Sequence, residues 1–210
     1  MTHPEWAIGF EDEVWWSRLA HPGLHAWAAP GQPLRLVEQT VARSKKDDLD
    51  PKALACYGLL VRSWDRGLSE PPREEVWLRF ADGRPVSAVT TRFLDWSCDK
   101  LAAAGKTALL LVWDNASWHL SKEVREWINA HNRRVRETGC GSGVPGVRIV
   151  PCPLPIKSPW LNPIEPKWVH GKRKVVEPDR LLTARELAER VCAVFNCPYE
   201  PHLPIPDKAA

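Results

Sequence analysis

The chain has 210 residues, 44% of them hydrophobic and 26% charged, which is enough to bury a core and excludes disorder and collagen-like repeats. Its 29 Lys and Arg stand against 26 Asp and Glu, so the near-balanced charge excludes a strongly basic binding tail but permits a local basic patch. The longest apolar run, Ala108 to Trp113, is far too short to span a bilayer. The start, Met1-Thr2-His3-Pro4-Glu5-Trp6, lacks the basic and apolar stretches of a secretory signal, so a cytoplasmic chain is expected. None of the six cysteines forms a Cys-x-x-Cys pair, which favours free thiols over a zinc ribbon. His21 and His25 have ligand-like spacing, but the Pro-Gly between them makes a turn.

In chain order, Ile8 to Glu13 predicts a first strand, with Ile8, Phe10 and Asp12 on one face. A second extended segment is expected between His25 and Val37, around the turn signal Ala29-Pro30-Gly31-Gln32-Pro33. Ala53 to Val61 predicts a third strand, and a short one is expected near Val76 to Phe80. Thr90 to Ala104 has helical character. Thr107 to Trp113 is apolar on both faces, the signature of a central strand covered on each side. Ser121 is placed to cap a helix carrying Val124, Trp127 and Ile128 inward. Gly139 to Gly146 holds four glycines and predicts a loop. Val147 to Val150 predicts a short strand closed by Pro151 and Pro153. Thr183-x-x-Glu186 is a capping box opening a last helix, with Leu187, Val191 and Val194 inward. From Pro198 onward the chain predicts a proline-rich extended tail. Such an order of strands and helices is that of an α/β layered sheet.

One motif misleads. Gly105-Lys106-Thr107 imitates the end of a phosphate-binding loop, but Lys100 stands where a glycine is needed. The stretch also leaves a helix and enters a strand, the reverse of that loop.

Three acids fall at the ends of well-marked elements. Asp12 ends the first strand and Asp114 the central one, in Trp113-Asp114-Asn115-Ala116-Ser117-Trp118-His119. Glu165 follows in Ser158-Pro159-Trp160-Leu161-Asn162-Pro163-Ile164-Glu165. Ligands gather outside the carboxyl ends of strands in open α/β sheets, and carboxylates on separate elements suit hard divalent cations used in phosphodiester chemistry. Each acid also has a structural reading. Asp12 lies between Glu11 and Glu13 and could be one of three solvated charges. Asp114-Asn115 could be a turn, and Asn162-x-x-Glu165 could be a capping box with Pro163 at the first helical position.

Phe10-Glu11-Asp12-Glu13, Asp114 to His119, and Ser158 to Trp168 together resemble the three catalytic blocks of the DDE transposases. More narrowly, they resemble the bacterial insertion-sequence enzymes of the mariner superfamily. The resemblance covers about Ile8 to Lys174, and it raises the catalytic reading of the three acids above the structural one. It implies a ribonuclease-H-like mixed sheet flanked by helices over residues 5–176, with a C-terminal helix in 177–197 and the tail in 198–210. It implies DNA cleavage and strand transfer in the transposition of an insertion sequence. Asp12, Asp114 and Glu165 would be the catalytic residues and the ligands of two Mg2+ or Mn2+ ions, one between Asp12 and Asp114 and one between Asp12 and Glu165. The implied partner is double-stranded DNA, at transposon ends and target. A homodimer and a separately encoded helix-turn-helix part are further expectations, because only eleven residues precede Asp12. The place of action would be the nucleoid. A truncated or domesticated fragment acting only as a DNA-binding or interaction module is the alternative, and a general ribonuclease-H-like nuclease is a third reading.

Fifty residues separate Asp114 from Glu165, more than is usual in the family, and the excess falls in the glycine-rich stretch. His119 and Asn115 either contact substrate near the metals or serve structurally at the helix entry. Between Lys157 and Lys174 five basic residues (Lys157, Lys167, Lys172, Arg173, Lys174) meet one acid, Glu165. Such a cluster would contact DNA phosphates without reading sequence, and Trp160 and Trp168 beside Glu165 could stack on an unpaired base. For the twelve tryptophans as a set, core packing is the expectation.

Overall fold

The computed structural model describes residues 3–18, 49–64, 71–138, 146–175 and 182–204. The extended segment expected between His25 and Val37, the His21/His25 pair and most of the glycine-rich loop lie outside them. Strands β1 (Trp6–Ser17), β2 (Ala53–Ser63), β3 (Arg73–Ala81), β4 (Ala108–Trp113) and β5 (Arg148–Pro153) form one sheet in the order β3-β2-β1-β4-β5. β1, β2 and β3 pair antiparallel, whereas β4 runs parallel to both β1 and β5. The sheet is therefore mixed.

Among the described residues four α-helices cover it: α1 (Ser87–Ala103), α2 (Lys122–Thr138), α3 (Glu165–Lys174) and α4 (Ala184–Phe195). The two-residue period of the strands sorts the core into two clusters. Ala55, Tyr57 and Leu59 of β2 with Leu109, Leu111 and Trp113 of β4 pack against Phe93 and Leu94 of α1 and Val124 and Ile128 of α2. Leu54, Cys56 and Leu60 of β2, with Val14 and Trp16 of β1, pack against Trp168 of α3 and Leu187 and Val191 of α4. A middle strand must then be apolar on both faces, as β2 is.

Local signals account for several boundaries. Ser121 Oγ accepts from Val124 N at 3.2 Å to start α2. The Thr183 box forms in full, Glu186 N to Thr183 Oγ1 at 3.1 Å and Thr183 N to Glu186 Oε2 at 2.8 Å. Gly105, at φ 71°, makes the left-handed turn from α1 into β4 that a side chain would resist. Lys106 then spends its ammonium on the carbonyls of Pro4 and Trp64, which confirms that this stretch is no phosphate loop.

Two expectations need correction. Asp12 does not end β1, which continues to Ser17 by pairing with β2; only its pairing with β4 stops earlier, at Phe10 opposite Val112. β5 also reaches beyond Val150 and includes Pro151 and Pro153. It is an edge strand whose even-numbered residues turn their N–H groups toward β4, as Arg148 N to Thr107 O and Leu154 N to Trp113 O mark at either end. Proline is tolerated at the odd positions between them.

Gly58 of β2 lies opposite Asp12 in the ladder. A Cβ there would stand 2.3 Å from Trp168 Cη2 and 2.5 Å from Cζ2, so the missing side chain is the space the indole fills. Gly58→Ala is expected to destabilise the fold by about 1–3 kcal/mol through overpacking, read as a lower denaturation midpoint in urea.

Candidate active site

The paired β1–β4 register ends with Phe10 opposite Val112, and Asp12 and Asp114 each lie two residues further along the chain. Parallel neighbours point to the same face, here the face covered by α3 and α4. Trp168 of α3 donates its indole N–H to Asp12 Oδ2 at 2.8 Å. Asp114 Oδ1 accepts from Ala116 N at 2.8 Å and from His119 Nδ1 at 2.9 Å. Glu165 opens α3, whose approach is set by Asn162. The Asn162 side chain is buried and donates to the Glu11 carbonyl at 2.9 Å, tying the helix entry to β1.

The capping box expected at Asn162 is not formed. α3 begins at Glu165 with no side-chain cap bond: Asn162 Oδ1 accepts from Ile164 N at 3.5 Å, and Glu165 N bonds the Asn162 backbone carbonyl at 3.1 Å. The Glu165 carboxylate is thereby released from a capping role.

The electrostatics of the three acids are mutual. Burial, and then the charge of Glu165, push Asp12 up to about 7, against the opposing hydrogen bond from Trp168. Burial and then the charge of Asp114 raise Glu165, while Lys172 opposes. Asp114 lies below the usual carboxylate range, chiefly through the His119 hydrogen bond. The three acids therefore share one electrostatic neighbourhood. They do not close on a single point: among the described residues, only Glu11, Glu13 and His119 bring three ligand atoms within 4.8 Å of one another.

That second group lies on the other face of β1. Glu11 is 0% exposed, because β1 is an interior strand and its odd positions turn under α1 and α2. His119 Nε2 is 3.0 Å from Glu11 Oε2 and 3.2 Å from Glu13 Oε1. Trp118 Nε1 donates to Glu13 Oε1 at 2.9 Å. The imidazole stacks on Trp113 with centroids 4.7 Å apart, and Trp118 meets it edge-on. Sequence reasoning offers Glu11 and Glu13 only as solvated charges beside Asp12, under one of its two readings of that residue. The signal that reveals them is the two-residue period, which turns both inward once β1 lies between two strands.

The remaining sequence-predicted positions divide. His119 is 1% exposed, so it supports Asp114 from below and does not touch substrate directly. Asn115 donates its amide to Leu154 O at 2.7 Å, pinning the exit of β5. Trp168 is 3% exposed, which excludes it as a stacking platform for a base; it packs on Gly58 and holds Asp12. Lys167 Nζ pairs with Glu74 Oε1 at 2.6 Å, so its charge is committed within the chain. Trp160 is 73% exposed, and Lys157, Lys172, Arg173 and Lys174 are exposed as well.

The Asp12 shift carries a stability consequence. Between the ordinary carboxylate range and about 7, the folded metal-free chain retains a proton that the unfolded chain has released. Stability contributed by this group is thus full at acid pH and is lost as pH rises through that window. Asp12→Asn removes the buried charge, keeps an acceptor for Trp168, and is expected to raise Tm by about 2–4 °C, roughly 1 kcal/mol, near neutral pH. Near about pH 4 the variant and the parent should melt alike, and calorimetry at the two pH values reads the difference.

Comparison with known proteins bears on the family and the fold. The family described as DDE superfamily endonuclease matches residues 73–188, a stretch that includes Asp114 and Glu165 and starts after Asp12. The fold is similar to the Mos1 transposase paired-end complex with left transposon end, at TM-score 0.53 and 16% identity over 94% of this chain and 49% of that one. It is similar also to the Mos1 strand transfer complex, at TM-score 0.52 and 15% identity over 93% and 48%. A third is the mariner Mos1 paired end complex with Mn, at TM-score 0.52 and 16% identity over 91% and 48%. The chain thus spans about half the length of these structures, and the likeness establishes the ribonuclease-H-like fold. No curated protein matches the chain. With more than half of its residues matched by the family, the chain belongs to the DDE superfamily endonucleases.

Proposed function

We propose that this chain is a DDE transposase catalytic domain that cleaves DNA and joins the 3′ end to a target, with Asp12, Asp114 and Glu165 as the catalytic acids. The observation that supports the reading is that Asp12 and Asp114 each follow by two places the last paired residues of adjacent parallel strands, with Glu165 opening α3 over the same face; burial and then the charge of a neighbouring acid raise both Asp12, beside Glu165, and Glu165, beside Asp114. Three carboxylates crowded this way repel one another, and their all-oxygen donor set fits hard divalent cations such as Mg2+ or Mn2+. When bound, such ions would activate the attacking oxygen and stabilise the leaving one.

The chain's own residues supply position and charge. His119 fixes the orientation of Asp114 through Oδ1, and Trp168 fixes Asp12 through Oδ2. Asn162 secures the entry of α3, so that Glu165 is presented by a helix start anchored to β1. Catalysis of this kind is mostly electrostatic and positional. Lys172, Arg173 and Lys174 in the last turn of α3, with Lys157 and the exposed indole of Trp160, form the surface to which we assign DNA backbone and base contacts. Insertion-sequence transposition in the nucleoid, with a homodimer or a separately encoded helix-turn-helix partner, completes this reading.

Asp114→Asn is expected to lower Mg2+-dependent nicking of a transposon-end duplex at least about 1,000-fold, some 4 kcal/mol of barrier, with an unchanged circular dichroism spectrum. Nicking at the parental rate by that variant refutes the assignment. Joining of a labelled 3′-OH end to target DNA separates a transposase from a general nuclease. Retained DNA binding without cutting by the parent chain would instead support a non-catalytic module. Replacing Lys172, Arg173 and Lys174 with Ala should weaken binding to all duplexes alike. The slope of log affinity against log salt should fall by about 0.9 for each phosphate that these side chains no longer neutralise.

A further inference from the structure

We infer that Glu11, Glu13 and His119 form a second, buried metal site, separate from the acids on the opposite face of β1, and that it takes a divalent transition-metal ion of the zinc class. The argument begins with the His119 tautomer. Its Nδ1 faces only acceptors, Asp114 Oδ1 at 2.9 Å and the Asp114 carbonyl at 3.4 Å, so Nδ1 carries a proton. The other nitrogen, Nε2, lies between two carboxylate oxygens at 3.0 and 3.2 Å. A neutral imidazole would aim a bare lone pair at two anions. Either a second proton or a cation must stand there.

Glu11 decides between them. It is fully buried; its Oε2 stands 3.0 Å from His119 Nε2, and its Oε1 has no hydrogen-bond partner among the described residues. The same nitrogen is 3.2 Å from Glu13 Oε1, so a single proton there would be shared between two carboxylates. A protonated imidazole therefore still leaves Glu11 Oε1 without a donor, a costly arrangement. An ion binds both carboxylates and the nitrogen at once. Ligand atoms held about 2.0–2.1 Å from a common ion at angles between square and tetrahedral lie about 3 Å apart, which matches the two separations here. The ligand set also selects the ion. Mg2+ favours oxygen and keeps several waters, whereas a dry pocket with one imidazole and two carboxylates suits Zn2+ or its transition-metal neighbours.

The surroundings have the form of an outer shell. A metal-bound histidine commonly donates its other ring N–H to a carboxylate, which fixes its orientation; His119 donates to Asp114. Trp118 donates to the ligand oxygen of Glu13, and Trp113 holds the ring in place by stacking. The ion would thereby set the position of Asp114 from beneath, whether or not Asp114 is catalytic.

The test uses the full chain carrying Asp12→Asn and Glu165→Gln, which removes carboxylates of the other face. After treatment with a chelating resin and loading with ZnCl2, elemental analysis should find one zinc per chain, and CoCl2 should give one bound, visibly absorbing Co2+. X-ray absorption of the zinc-loaded chain should read one nitrogen and carboxylate oxygens at about 2.0–2.2 Å. Adding Glu11→Gln should abolish stoichiometric binding, and adding Asp114→Asn should weaken it about 10–100-fold. No retained ion in the double variant, or a shell of oxygens alone, overturns the proposal, as does equal retention by a folded Glu11→Gln chain. If Glu11→Gln does not fold, the stoichiometry and absorption of the double variant decide the matter alone. Because the double variant is inactive under the proposed function, its metal content is independent of whether that function is correct.

Discussion

The site depends on the parallel register of β1 against β4. That pairing ends with Phe10 opposite Val112, and two places beyond each lie Asp12 and Asp114, acids from distant parts of the sequence at the same end of the sheet. Because successive strand residues alternate faces, the same register turns Glu11 and Glu13 away, under the opposite helical layer. One strand therefore carries two acidic groups with different fates. On one face they meet α3 and the open end of the sheet; on the other they are sealed beneath α1 and α2. A shift of one residue in β1 would exchange the two sets.

How these facts read in the sequence follows from the range of each interaction. The doubly apolar run of β4, the Ser121 cap and the Thr183 box are local signals, and the structure carries all of them. The pairing of Asp12 with Asp114 is suggested only by the resemblance of whole motifs, since no local rule sets the partner of a strand. Burial of Glu11 escapes a local reading because it depends on β1 being flanked on both sides. Asn162 misleads for a related reason. Its spacing from Glu165 fits a cap, but its oxygen accepts from Ile164 N, one residue short, while its NH2 donates to the Glu11 carbonyl on β1.

Tryptophan holds these parts together more than it recognises substrate. Trp168 fills the place of the absent Gly58 side chain and donates to Asp12. Trp113 and Trp118 bracket the His119 ring, and Trp118 secures Glu13. Each indole combines a large apolar surface with a single donor, which suits a place where a carboxylate must be held at the margin of a core. Trp160, by contrast, is left to solvent. The abundance of tryptophan in the composition is thus partly an account of how charged groups are steadied.

The prolines of β5 determine how this sheet can meet other chains. Pro151 and Pro153 occupy the odd positions of an edge strand whose even positions face β4, so the donors they lack are those that would have pointed outward. An incoming strand would find two of the rungs missing and a rigid ring at each gap. Self-association by sheet extension is closed on the side of the molecule nearest Asp114. Strand addition would fall instead to β3 at the opposite edge of the sheet, away from the rim beside Asp114.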